Sequence, residues 1–174
     1  MKFIYITGGP CTAKSTIVGD LEKTMGESSE DHHFLPMDLF KGILYKKTNT
    51  FVMHLDETSY GVISKFKEFV NLMNKLNISV LAEGDRWTTA KYIEWLLETY
   101  PDNSKVFLLT VDEKIEELRH KKRGDNQNLQ WIKGRRQMSV NLLNNLFLRD
   151  KLTVRDTSDT IEHIKEEIMN ELLH

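Results

Sequence analysis

Short apolar runs alternating with amphipathic helices predict an α/β fold, a parallel sheet covered by helices on both faces. Three observations predict it. The run Phe3-Ile4-Tyr5-Ile6-Thr7 is apolar enough for a buried strand. It passes through Gly8-Gly9 into an amphipathic stretch over 14–25, with Ile17, Val18, Leu21 and Met25 on one side. The same alternation then repeats as far as a final stripe of Ile161, Ile164, Ile168 and Leu172.

Taken in order, residues 2–7 read as the first strand and 14–25 as the first helix. His33-Phe34-Leu35-Pro36-Met37 reads as a short second strand, Asp38 as a cap, and 39–46 as a helix. Residues 48–56 read as irregular. Ile63, Phe66, Phe69, Val70, Met73 and Leu76 recur at helical spacing and predict a helix over 57–76. Residues 78–82 form the third strand, and Thr88 or Thr89 caps a helix carrying Ile93, Leu96 and Leu97. Residues 106–111 form the fourth strand, and Asp112 caps a helix reaching about Arg123. A polar stretch over 124–133 precedes a helix over 134–149 whose core face is Met138, Leu142, Leu143 and Leu146. Leu152-Thr153-Val154 is the fifth strand.

A chain of 174 residues suits one domain with a full core, here spanning 1–174. Hydrophobic residues make up 40% and charged residues 29%, which places it among soluble globular chains. The net charge of -2 argues against a broad basic footprint for duplex DNA. No apolar run reaches the length of a membrane span, so no membrane partner is expected. The single cysteine, Cys11, excludes an internal disulfide and fits a reducing, cytoplasmic setting. His32, His33, His54, His163 and His174 show no metal-ligand spacing and are expected to take no part in catalysis.

The chemistry concentrates where the first strand turns into the first helix. Gly8-Gly9-Pro10-Cys11-Thr12-Ala13-Lys14-Ser15-Thr16 has the spacing of a phosphate-binding P-loop. Backbone N–H groups of such a loop, with the positive end of the helix, cradle a phosphate chain. Lys14 would reach the β- and γ-phosphates, and the Ser15 hydroxyl would bind Mg²⁺. Ala13 stands where the second glycine of the motif usually sits. A left-handed backbone there costs alanine about 1 kcal/mol or more, and ordinary helical backbone costs nothing.

In a parallel sheet, ligands gather at the carboxyl ends of the strands. Asp38 is placed to accept a proton from an attacking hydroxyl, or to cap the next helix, or both. Lys41, one turn on, is a candidate for an acceptor phosphate. After the third strand comes Glu83-Gly84-Asp85-Arg86-Trp87. Glu83 or Asp85 is the candidate acid for Mg²⁺, Arg86 the candidate clamp on an acceptor, and Trp87 a stacking face for a base. Two basic clusters, Arg119 to Arg123 and Lys133 to Arg136, flank a polar segment with Gly124 and Gly134. This is the pattern of a lid over about 119–136 that brings Arg123, Arg135 and Arg119 onto the phosphates. Asp125 and Gln127 either contact substrate or order the lid.

Together these residues resemble the P-loop kinases of the nucleotide-kinase group, which includes adenylate, thymidylate and polynucleotide kinases. The resemblance implies a three-layer fold with five parallel strands in the order 2-3-1-4-5. It implies ATP with Mg²⁺ and transfer of the γ-phosphate to a nucleotide, a nucleoside or a nucleic-acid end. Glu83-Gly84-Asp85-Arg86-Trp87 looks like the Asp-Arg-aromatic motif of thymidylate kinase, and Asp38 looks like the general base of polynucleotide kinase. The two likenesses point to different acceptors. A nucleotide or nucleoside is favoured. A hydroxyl on single-stranded or modified DNA, as for compact viral-type kinases acting in a host cytoplasm, is the alternative. A nucleotide-binding switch that transfers nothing is the alternative of another class; it has no need of a basic lid.

Overall fold

In the computed structural model, which describes residues 1–26, 42–54, 63–84, 90–124 and 129–174, the first strand lies inside the sheet and is buried along its whole length. This β1 (Phe3–Gly8) pairs in parallel with β4 (Ser79–Glu83) on one side and β5 (Ser104–Thr110) on the other. Beyond β4 lies β3 (Thr50–His54), and beyond β5 lies β6 (Leu152–Asp156), both parallel. At the far edge β2 (Gly42–Tyr45) pairs antiparallel with β3. The order is β2-β3-β4-β1-β5-β6.

Alternation along the strands divides the core into two layers. Phe3, Tyr5, Phe51, Met53, Val80, Ala82, Val106 and Leu108 face one side, packed on α2 (Ile63–Lys75), α3 (Ala90–Thr99) and α5 (Leu129–Asn144). Ile4, Ile6, Val52, Leu81, Phe107 and Leu109 face the other, covered by α1 (Lys14–Met25) and α6 (Glu162–Leu173). Phe66 of α2 meets Phe3 edge to face, with ring centroids 5.8 Å apart. The stripes expected on α1 and α6 are the ones that pack here, from Ile17, Val18, Leu21 and Met25 to Ile164, Ile168 and Leu172. Asp112 caps α4 (Glu113–Arg123) as expected, accepting from the backbone N–H of Lys114 at 2.9 Å. Among the described residues, no helix is long and apolar enough to cross a membrane.

The α/β class stands, and the expected order 2-3-1-4-5 holds when the five parallel strands are counted alone. Four details differ. The sheet has six strands and is mixed, because β2 joins its edge. Residues 42–45 are strand where the sequence suggested helix over 39–46. The second parallel strand is Thr50–His54, inside the stretch read as irregular; the expected strand over 33–37 lies outside the described residues. The fifth helix is displaced, starting at Leu129 and ending at Asn144. The Asn145 side chain accepts from the N–H of Phe147 at 2.9 Å and of Leu148 at 3.2 Å, turning the chain out of the helix. Leu146 is therefore 76% exposed, and Leu148 takes the core position instead.

Candidate active site

β1 delivers the chain to the carboxyl end of the sheet at Gly8, where the loop of 8–13 begins. Gly8 adopts φ +148, and a Cβ there would lie 2.3 Å from the carbonyl oxygen of Leu109 on β5. The loop is thus seated directly on the neighbouring strand. Thr12 Oγ1 donates to Gly9 O at 2.9 Å and closes the loop on itself. Cys11 and Ala13 both have left-handed backbones, φ 58 and φ 61. Ala13 is the N-cap of α1 and gives no side-chain hydrogen bond to it. A phosphate could take up the orphan N–H groups of that first turn. Because Ala13 is left-handed, Ala13→Gly removes its strain at the cost of some backbone entropy. A net gain of about 0.5–1 kcal/mol is expected, read as a rise of about 1–4 °C in the unfolding midpoint.

Lys14 Nζ folds back over the loop, donating to Gly8 O at 2.9 Å, Gly9 O at 2.7 Å and Thr12 Oγ1 at 3.4 Å. Its charge therefore sits over the loop itself. One residue on, Ser15 Oγ donates to Glu83, at 3.1 Å from Oε1 and 3.3 Å from Oε2. Glu83 ends β4 directly beside Ile6 of β1 and is 7% exposed. The turn behind it is fixed twice, by Gly84 N–H to Ile6 O at 3.0 Å and by Tyr5 OH to Gly84 O at 2.9 Å. A hydroxyl and a carboxylate side by side are hard oxygen donors and fit Mg²⁺, which typically takes one or two carboxylates together with substrate phosphates.

His54, at the end of β3, is the register partner of Glu83. Its Nδ1 lies 2.9 Å from Glu83 Oε1, and its Nε2 lies 3.6 Å from Glu22 Oε2. Tyr45 OH donates to Glu22 Oε1 at 3.0 Å. The bond with Glu83 raises the imidazole's pKa above its ordinary value; burial opposes this, and the charges of Glu83 and Glu22 add to the rise. Burial would push the Glu83 carboxyl up, but the His54 hydrogen bond and the charges of His54 and Lys14 hold it below the usual range. Burial and Glu22 push the Tyr45 phenol up to about 12. His54 thus stabilises the fold fully below its ordinary value of 6.5, and that contribution is lost as pH rises through its elevated folded value. Glu83 contributes above its ordinary value of 4.5 and loses the contribution as pH falls through its depressed one. The midpoint of thermal unfolding, followed from about pH 4 to 9, is expected to fall on the alkaline side in the wild type and to flatten there in His54→Asn.

On the other flank, Arg119 of α4 ties the loop to the turn after β6. It donates to Cys11 O at 3.1 Å, to Thr157 Oγ1 at 3.3 Å and to Thr157 O at 2.5 Å. Thr157 is fully buried and donates in turn to Thr110 O at 3.0 Å. A cleft of about 530 Å³ opens beside this anchor, lined by Ala13, Thr16, Arg119, Lys122, Arg123 and Ile161 among others. Of the lid arginines, Arg119 and Arg123 therefore stand beside the loop, while Arg135 lies over the Trp131 ring, 5.2 Å from its centroid. Arg136, whose role was not foreseen, pairs with Glu113 and with the buried Glu116. A Cβ on Gly9 would come within 3.8 Å of Glu116 Oε1 and 4.0 Å of Arg136 Cα, so this pair packs over the loop.

Gly8, Gly9, Cys11, Thr12, Ala13, Lys14, Ser15, Glu83 and Arg119 are thus brought together. Asp38, Lys41, Asp85, Arg86, Trp87, Asp125 and Gln127 lie outside the described residues. Among the described residues the second parallel strand ends at His54, so the strand-end argument also singles out His54. The sequence offered no metal-ligand spacing for His54, and only the β3–β4 register reveals it.

No family model and no curated protein sequence matches the chain. Solved structures do. A gluconokinase from Sinorhizobium meliloti 1021 is similar at 13% identity with a TM-score of 0.56, over 99% of this chain and 89% of that one. A sugar kinase from Janibacter sp. HTCC2649 is similar at 13% identity and TM-score 0.57, over 99% and 94%. The YorR protein of Bacillus subtilis, solved with phosphorylated GDP, is similar at 14% identity and TM-score 0.58, over 97% and 94%. The chain has the P-loop kinase fold. In this P-loop kinase fold the loop after β1, the carboxylate ending β4 and the basic helix after β5 share the carboxyl edge of the sheet.

Proposed function

We propose that the protein is an ATP-dependent phosphotransferase acting on a nucleotide or nucleoside. The observation that carries this reading is the loop itself, with Lys14 Nζ over the carbonyls of Gly8 and Gly9 and Ser15 Oγ against Glu83. A cation, a helix N-terminus and a hard-oxygen pair close together support this reading, because transfer of a phosphoryl group requires them. The backbone of 8–16, Pro10 and Thr16 included, holds the phosphates, and Lys14 meets the charge that develops on the transferring oxygens. Ser15 and Glu83, with Asp85 as the further candidate, would hold Mg²⁺, which supplies positive charge to the phosphate oxygens when bound. Arg119 anchors the loop through Cys11 O and Thr157, and Arg123 and Arg135 are assigned as the cations of the lid. Asp38, Lys41, Arg86, Trp87, Asp125 and Gln127 are assigned to the acceptor.

A nucleotide or nucleoside acceptor is supported by the net charge of -2, which suits a small acceptor better than a polymer, and by YorR, a chain of the same fold that holds a guanine nucleotide. The test is ATP turnover with Mg²⁺ against nucleoside monophosphates, nucleosides, gluconate, a 5′-hydroxyl oligonucleotide and hydroxymethylated DNA. Transfer to a monophosphate or nucleoside is expected. With a hydroxyl acceptor, Asp38→Asn is expected to cost about a hundredfold or more, the usual worth of a general base, and much less with a phosphate acceptor. Transfer to DNA alone would replace the acceptor assigned here, and binding without transfer to any of them would make the protein a nucleotide-binding switch.

A further inference from the structure

Both ring nitrogens of His54 face carboxylates, Glu83 at 2.9 Å and Glu22 at 3.6 Å, and Glu22 is itself held by Tyr45. Four elements meet at this ring. β3 carries His54, β4 carries Glu83, β2 carries Tyr45, and α1 carries both Ser15 and Glu22. Ser15 and Glu22 stand seven residues apart, two turns along one side of α1. The helix that presents the Ser15 hydroxyl therefore also presents the far support of His54.

We infer that His54 is a positioning residue, clamped by Glu22, that holds the Glu83 carboxylate in the orientation needed beside Ser15 for Mg²⁺-dependent nucleotide binding. The inference rests on the reading of the loop as an ATP–Mg²⁺ site. A carboxylate has about four lone-pair positions. The ring nitrogen takes one on Oε1, and Ser15 reaches across both oxygens. Were Ser15 to hold a metal, its bond to Glu83 would be given up, and the bond from His54 would remain to fix the carboxylate plane. Without it, Glu83 keeps its place on β4 but is free to rotate. Groups that orient a ligand in this way are typically worth about 10- to 100-fold in metal affinity or activity.

The experiment is calorimetric titration of the whole protein with ATP, once with Mg²⁺ and once with EDTA, alongside the thermal midpoint of each variant. In His54→Ala, ATP affinity with Mg²⁺ is expected to fall about tenfold, while affinity in EDTA stays at the wild-type value. His54→Asn keeps an N–H at the Nδ1 position and is expected to recover most of the loss. Glu22→Ala removes the clamp and not the contact, so it is expected to lose in the same direction by a smaller factor. Equal losses in Mg²⁺ and EDTA, no loss in either, or an Asn variant as weak as the Ala variant would overturn the inference. Should His54→Ala fail to fold, the Asn and Glu22→Ala variants decide by the same comparison. A wild type whose ATP affinity ignores Mg²⁺ would overturn the ATP–Mg²⁺ reading itself, and this inference with it.

Discussion

Lys14→Met is expected to lower phosphoryl transfer by about a hundred- to a thousandfold, the usual effect of removing one preorganised charge from a developing anion. A thousandfold is about 4 kcal/mol at the barrier. The fold stands to lose far less. Lys14 Nζ donates to two carbonyls and a hydroxyl at the half-exposed mouth of the loop, and such neutral partners contribute about 1 kcal/mol each when water can replace the donor. The two quantities separate the roles. Steady-state turnover of ATP should collapse while the unfolding midpoint, measured without nucleotide, moves by only a few degrees. Undiminished turnover would remove Lys14, and with it the loop, from the chemistry.

Gly8→Ala is expected to destroy ATP binding through the backbone. The added Cβ would stand 2.3 Å from Leu109 O, a main-chain atom of β5 that cannot rotate away. The residue must also keep φ +148 to continue from strand to loop. Overpacking costs about 1–3 kcal/mol, and a strained backbone about as much again. That is a large part of the roughly 5–15 kcal/mol that holds a domain together. A lower midpoint is expected, and, where the wild type rises with ATP as the proposed function requires, loss of that rise. Gly19→Ala is the control, since a Cβ there meets nothing within 4 Å; in mid-helix it should gain about 0.5–1 kcal/mol and leave ATP binding intact. Both proteins can be compared by thermal unfolding with and without ATP.

The loop was legible in the sequence because every part of it is local. A buried strand, a glycine turn and a helix start lie within 16 residues, and the side chains that line the loop are set by chain order alone. The Asp112 cap was legible for the same reason. What escaped depends on partners distant in the chain. Ile43, Leu44 and Tyr45 look as helical as they look extended, and only pairing with Thr50 to Val52 makes them strand. Thr50–His54 is short, so its burial between β2 and β4 decides it. His54 and Glu83 are 29 residues apart and become neighbours through strand register. Arg136 could be told from Arg135 only by which of them faces Glu116 across the helix pair.

The seat of the loop bears on the order in which the chain is made. Residues 8–16 precede every group they lean on: Glu83, the Leu109 backbone, Arg119 and Thr157. β1 closes its pairings with segments about 77 and 101 positions downstream, Val80 and Ser104 opposite Phe3. Such long closures form late, because the entropy of the intervening chain must be lost before any pairing repays it. During synthesis the loop therefore emerges ahead of its supports and waits, beside an apolar strand with no neighbours on either side. The supports of the loop are complete only when the last parallel strand has docked. A nascent chain captured on immobilised ATP would mark a completed sheet, and shorter nascent chains would pass through.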